Sequence, residues 1–182
     1  MSGFSLRLAT PDDAEEIFKL VLALARYEKL EHEVVSTADH FRKVLAEPQS
    51  GVEVLLAVNG PRVLGFALYF RNYSTFLGKT GLFLEDLFVL PEHRSAGVGT
   101  ALVQRVIQIA VERAYGRVEW HVLDWNQPAI QFYKRIIGAE LIESWRLCRV
   151  NIASVSFKAQ LRRTRPCPQK SRQIWSDAAI AG

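Results

Sequence analysis

The chain has 182 residues, 49% of them hydrophobic and 23% charged, which excludes wholesale disorder and collagen-like repeats and suits one domain with its own core. The net charge of +4 falls within residues 162–182; residues 1–161 balance acids against bases, so no basic face for nucleic acid is expected on the folded part. The longest apolar run, residues 20–25, is far short of the roughly 20 residues of a membrane helix, no charged leader opens the chain, and Cys148 and Cys167 lack metal or redox spacing, so a cytoplasmic location is expected.

In chain order, residues 5–8 read as a short strand. Thr10, Pro11, Asp12 and Asp13 open a helix, with a hydroxyl at the N-cap, proline at the first helical position and acids in the first turn. It runs to about residue 27, with Ile17, Leu20, Val21, Leu24 and Ala25 on one stripe. Ser36, Thr37, Ala38 and Asp39 open a second helix, whose apolar face is Phe41, Val44 and Leu45 and which ends over residues 48–51. Residues 52–58 and 62–69 flank an Asn59, Gly60, Pro61 turn and read as a hairpin. Residues 72–80 read as a loop. Residues 81–90 read as an almost continuously apolar strand, interrupted by Glu85 and Asp86. Residues 98–114 form a helix in which Val98, Ala101, Leu102, Val106, Ile109 and Ala110 recur at three- and four-residue spacing. A strand over 117–123 follows. Asn126, Gln127 and Pro128 start a helix to about residue 135, closed by Gly138 and Ala139. Short strands are expected near 140–142 and 145–150.

Hairpins beside a strand–helix–strand crossover predict an α/β (α+β) fold, with a mixed, mostly antiparallel central sheet flanked by helices. One domain is expected over residues 1–161. Residues 162–182, rich in Pro, Gln, Ser and Arg without apolar period, are expected to form a basic disordered tail.

Two segments carry chemistry. The apolar strand runs into Arg94, Ser95, Ala96, Gly97, Val98, Gly99 and Thr100, and a helix begins at once. A helix N-terminus offers free N–H groups and a positive dipole end, which suits phosphate, and the glycines let a ligand approach the backbone. The second segment is residues 123–139, around Asn126, Pro128, Ala129 and Tyr133. Together the two resemble the GNAT superfamily of acetyl-coenzyme A dependent N-acetyltransferases, and more narrowly its diamine (spermidine/spermine) branch and thialysine-acetylating relatives. The resemblance covers about residues 4–150 and also rests on Tyr27 and Glu28, on Leu84, Glu85 and Asp86, and on Trp125, Asn126 and Pro128.

The resemblance implies that residues 94–100 cradle the coenzyme pyrophosphate and that the backbone of Leu87, Phe88 and Val89 pairs with the pantetheine amides like an added strand. Asn126 caps the helix after it, bonds the pantetheine arm, or does both. A departing coenzyme thiolate needs a proton, which a phenol with a pKa near 10 can supply at neutral pH; Tyr133 matches the family's general acid. An alkylammonium, about 99.9% protonated at neutral pH, must lose a proton before it attacks a thioester. Glu85 interrupts an apolar strand, so it reads as a partly desolvated general base acting directly or through water, or as a substrate contact. The alternative is a β-bulge whose two acids face solvent.

Glu28, Glu85 and Glu143 match acids that contact substrate in the diamine branch. Tyr27, Asp86, Glu119, Trp120 and His121 are taken as further substrate-side positions. Ser74 and Thr75 stand where polyamine enzymes tend to carry aspartate and tryptophan, which points to an amino-acid-like or short diamine substrate; spermidine and spermine are the alternative. The family pattern is broken in two places. Ser95 and Ala96 replace a more usual Gly-led pair, and Lys134, Arg135, Ile136 and Ile137 put one extra residue between Tyr133 and Gly138, which bears on Glu143 in particular. Cys148 has no histidine partner by motif, so direct attack is preferred to an acetyl-cysteine route. No metal is implied by His32, His40, His93 or His121. The diamine branch forms homodimers, so a homodimer is expected. A noncatalytic acyl-coenzyme A binding module and a protein-lysine acetyltransferase are the competing readings.

Overall fold

The computed structural model describes residues 3–152. The first strand, β1, spans Ser5–Leu8 and leads into a capped turn. There Asp13 accepts from the Thr10 backbone N–H at 2.8 Å and is gripped by Arg7 at 2.6 Å. That pairing holds the Asp13 carboxyl down at about 2. The expected single helix is a 3₁₀ turn over Pro11–Asp13 followed by α1, Ala14–Glu28. Next come α2 (Ala38–Ala46), β2 (Val52–Asn59), β3 (Arg62–Ser74), β4 (Lys79–Val89), α3 (Val98–Glu112), β5 (Val118–Trp120) and α4 (Gln127–Ile137).

The five strands form one mixed sheet in the order β1-β2-β3-β4-β5, antiparallel throughout except for the parallel β4–β5 pair. Strand alternation divides the core into two layers. Leu55 and Ala57 of β2 and Leu82 and Leu84 of β4 pack under α3, against Val98, Leu102, Val103 and Val106. Val54 and Leu56 of β2 and Phe88 of β4 pack under α1, against Ile17 and Leu20. Helices on both faces explain why β2 and β4 read as apolar runs rather than as alternating strands.

Two boundaries differ most from the sequence reading, at the loop over 72–80 and at the end of β5. The loop expected over 72–80 is mostly ladder, with Asn72 opposite Gly81 and Ser74 opposite Lys79, so the turn shrinks to residues 75–78. Asn72 fits there because Gly81 has no side chain: a Cβ at Gly81 would lie 2.6 Å from Asn72 Oδ1. β5 stops at Trp120 instead of reaching residue 123. The compact unit holding these elements ends at Glu140, and a second begins at Leu141. In the second unit the described residues, 141–152, contain no strand, although strands were expected at 140–142 and 145–150. Trp145, Leu147 and Val150 supply apolar strand residues but are exposed, and a strand without a ladder partner has nothing to hold it. The expected tail over residues 162–182, and Cys167 within it, lie outside the described residues.

Candidate active site

The site forms where β4 loses its neighbour. β5 pairs with Leu82, Phe83 and Leu84 and then ends, while β4 continues to Val89. At that point β4 also bulges: Tyr69 of β3 faces Leu84 and Leu68 faces Asp86, which leaves Glu85 as the extra residue. Two effects follow. Leu84 and Leu87 both pack toward α3 although they are three apart, and Asp86 comes into register with Leu68 of the α1 layer. Beyond the bulge, Leu90 N–H donates to Leu64 O at 2.9 Å. By the antiparallel alternation, Leu87 and Val89 therefore turn their backbone groups away from β3, to the side where β5 has ended. That open edge is the one an extended amide-bearing ligand could extend as a strand.

The turn after β4 presents the N-terminus of α3 beside this edge. Gly97 is the N-cap with φ 81°, α3 has no acid in its first turn, and no side chain caps its first N–H groups. Gly99 sits in ordinary contact with Phe132 of α4 and Val89 of β4, at 3.6 Å from each for an added Cβ. The loop is strained at one residue: Ser95 has φ 63°, a left-handed conformation that a serine adopts at a cost. An open strand edge meeting an uncapped helix N-terminus fits a ligand that carries amides along one stretch and phosphates at the next. A pantetheine pyrophosphate is such a molecule, so the residues present fit acetyl-coenzyme A.

Glu28, at the end of α1, is half-buried, and burial raises its pKa. Asp86 is pushed up to about 7, by burial first and by the charges of Glu85 and Glu28 after it. Glu85 itself is exposed. Its place in an apolar strand predicts a partly desolvated base, but the bulge moves it out of the ladder and gives the sheltered position to Asp86. A parity signal in the sequence marks this. The apolar residues facing α3 fall at 82 and 84, then at 87 and 89, so one residue between them must be surplus.

Tyr133 of α4 is pushed up to about 12, by burial first and then by the Glu28 charge, so its phenol stays protonated at neutral pH. Its ring packs on Trp120 of β5, with centroids 5.0 Å apart, and on Phe132. Asn126 caps α4: its Oδ1 accepts from Ala129 N–H at 3.3 Å and also from the Tyr27 hydroxyl at 3.1 Å. Pro128 occupies the first turn of α4, where its missing N–H costs nothing. The capping role of Asn126 is thus present, and among the described residues its Nδ2 makes no hydrogen bond. Arg94 reaches across the end of β4. Its Nε donates to Val89 O at 3.0 Å, and its guanidinium lies 4.8 Å from the centre of the Tyr27 ring and 5.5 Å from that of Phe88.

The remaining substrate-side positions fall elsewhere. His121 packs edge-on against Phe83, with centroids 5.0 Å apart. Glu119 is engaged by Asn72 Nδ2 at 2.9 Å and by Arg117 Nε at 2.8 Å. Trp120 lies on the Tyr133 side. Ser74 is buried at the far end of β3, and its Oγ accepts from Leu77 N–H at 3.2 Å. Ser74 faces Lys79, seven residues along β4 from Asp86, or about 23 Å of strand at 3.3 Å per residue. Within this chain, Ser74 and the exposed Thr75 do not join the acids. Glu143 is exposed and belongs to the second unit.

The chain matches the model of the acetyltransferase (GNAT) family over residues 15–139. It is 33% identical over 190 residues to an L-ornithine N5-acetyltransferase of Arabidopsis thaliana, covering 80% of this chain and 83% of that protein. It is 32% identical over 158 residues to a thialysine N-epsilon-acetyltransferase of Caenorhabditis elegans, covering 86% and 97%. Among solved structures, an integron cassette protein from the mobile metagenome of V. cholerae superposes with a TM-score of 0.70 at 25% identity, covering 90% of this chain and 99% of that one.

Proposed function

The chain belongs to the acetyltransferase (GNAT) family and is an N-acetyltransferase, and from that premise we propose how it works: acetyl passes from acetyl-coenzyme A to a primary amine of a small molecule by direct attack. The observation that carries this reading is the meeting of two features at one bulge: the open β4 edge with its uncapped α3 N-terminus, and the Asp86, Glu28 and Tyr133 group. Leu87 and Val89 hold the pantetheine arm through their backbone. Arg94, Ser95, Ala96 and Gly97, with the first N–H groups of α3 from Val98, Gly99 and Thr100, hold the pyrophosphate.

Acetyl-coenzyme A supplies a thioester carbonyl to the amine. Glu28 and Asp86 attract the ammonium form, and Asp86 takes one of its protons, because a carboxyl near pKa 7 is poised to gain a proton and release it to solvent. The freed nitrogen forms the new C–N bond as the C–S bond breaks. Tyr133, protonated throughout the neutral range, gives its proton to the sulfur, and the second excess proton leaves the nitrogen as the amide forms and returns through solvent to the Tyr133 phenolate. Glu85, exposed beside Asp86, adds negative charge at the entrance.

For the substrate we take an amino acid with a side-chain amine, or a short diamine. With Ser74 Oγ committed to its turn, that preference rests on the relatives that act on ornithine and thialysine. Spermidine or spermine is the second reading. We also propose a homodimer and a cytoplasmic location. Among the described residues no helix is long and apolar enough to cross a membrane. Thiol release from acetyl-coenzyme A is the test, across ornithine, thialysine, lysine, putrescine, spermidine, spermine and a histone-tail peptide. Ornithine or thialysine should lead. Preference for spermidine would move the substrate to the second reading, preference for the peptide would overturn the small-molecule assignment, and silence with coenzyme binding intact would favour a noncatalytic binding module.

A further inference from the structure

Arg94 makes contacts that a bound coenzyme would contest. Its Nε occupies the Val89 carbonyl, which faces the open edge where a pantetheine amide would bond. Its guanidinium lies over Tyr27 and Phe88, which both belong to the α1 layer of the core. The uncapped N–H groups of α3 begin at Val98, which packs in the opposite layer. A phosphate seated on α3 would compete with the Tyr27 ring for the guanidinium, and a pantetheine amide would compete with Nε for Val89 O.

Tyr27 is fixed independently of Arg94: its hydroxyl donates to Asn126 Oδ1 and its ring packs on Trp125, with centroids 6.0 Å apart. It directly precedes Glu28, whose charge reaches both Asp86 and Tyr133. A cation stacked on Tyr27 stands one residue along α1 from Glu28, so a second cation drawn to Glu28 would meet its charge.

We propose that Tyr27 is a positioning residue that couples the two substrate sites, holding the Arg94 guanidinium on the amine side until the coenzyme phosphates take it. The idea rests on the acetyltransferase reading above. It sets a sign: coenzyme binding removes a cation from the amine side, so it strengthens amine binding. Linkage makes the effect reciprocal, so the amine strengthens coenzyme binding by the same factor.

Calorimetric titration of the full chain tests this with coenzyme A, which carries no acetyl to transfer, and the amine that turns over fastest in the panel. In the wild type the amine's Kd should fall about three- to thirtyfold when coenzyme A saturates the protein, the range a cation–π contact spans between exposed and desolvated settings. The coenzyme's Kd should fall by the same factor in saturating amine. Tyr27→Leu should bring that factor close to one whatever it does to either affinity alone, and Tyr27→Phe, which keeps the ring, should restore it. Arg94→Met, at an exposed residue, carries the test if Tyr27→Leu fails to fold; without coenzyme, its amine affinity should approach that of the coenzyme-bound wild type. A wild-type factor of one, a factor of opposite sign, or full coupling in Tyr27→Leu overturns the proposal. Absence of any coenzyme A binding would overturn the acetyltransferase reading with it, whereas independent binding of both ligands would overturn the coupling alone.

Discussion

Replacing Asp86 by asparagine separates the two consequences of burying a carboxyl. Its pKa is raised from 3.8 to about 7, so the folded chain binds more protons than the unfolded chain between those values. Stability from this source is complete below about pH 4 and is lost as pH rises through 7. The gap corresponds to about 4 kcal/mol at pH 8, a ceiling given that some solvent reaches the group. Asparagine has nearly the same shape and does not ionise. The stability of Asp86→Asn relative to wild type should therefore grow by about 2–4 kcal/mol between pH 4 and pH 8, as measured by urea unfolding at several pH values. Turnover should move the other way, with kcat/KM down about 100-fold or more and the acidic limb near pH 7 gone. Glu85→Gln is the control: at an exposed residue it should raise the KM for the amine and keep the limb, moved to lower pH because the Glu85 charge helps to raise Asp86. A stability difference flat with pH would refute the buried charge, and an unchanged kcat/KM in Asp86→Asn would refute its part in proton transfer.

Tyr133→Phe keeps the ring on Trp120 and loses the phenolic proton, so turnover should fall about 100-fold while coenzyme A affinity stays within about twofold; equal turnover in steady-state assays would remove Tyr133 as the proton donor. Ser95→Gly relieves the left-handed backbone at φ 63° against glycine's extra freedom in the unfolded chain, for a net gain of up to about 1 kcal/mol; Ser95→Val should lose about 1–2 kcal/mol, and thermal melts of the pair check the order. Asp13 is held down at about 2 by Arg7 and the Thr10 N–H, so its contribution is present above about pH 4 and lost as pH falls through 2. Asp13→Asn should cost about 1–2 kcal/mol at pH 7, discounted because Arg7 is half-exposed, and the cost should shrink in urea melts taken toward pH 2.

Much of the fold was legible because its signals are local. Thr10, Pro11 and Asp13 announce a helix start, and the period of Val98, Leu102, Val106 and Ile109 announces α3. The misreadings come where partners at a distance decide. Asn72, Tyr73 and Ser74 look like turn residues, yet pairing with Gly81, Thr80 and Lys79 makes them strand. Residues 121–123 continue the apolar pattern of β5 but have no ladder opposite β4, whose bulge ends the pairing. The candidate site was legible in its residue types and not in its roles. Glu85 and Asp86 were both visible as misfits, but which of them is sheltered depends on one residue of register; the shift of apolar parity between Leu84 and Leu87 marks one residue as surplus, and only the pairing of Leu68 with Asp86 identifies it as Glu85. The Arg94–Tyr27 contact joins positions 67 residues apart and carries no sequence signal.

A single-turnover experiment with acetyl-labelled coenzyme A bears most directly on the central claim of direct transfer to a small amine. Enzyme in excess is mixed with the labelled donor and the best amine of the panel, then quenched in a time series and separated into protein and small molecules. Label should appear on the amine nitrogen at the rate at which thiol is released, with none on the protein at any time, and Asp86→Asn and Tyr133→Phe should slow both signals together. Label that appears first on the protein, for example at the exposed Cys148, and only later on the amine would contradict direct attack.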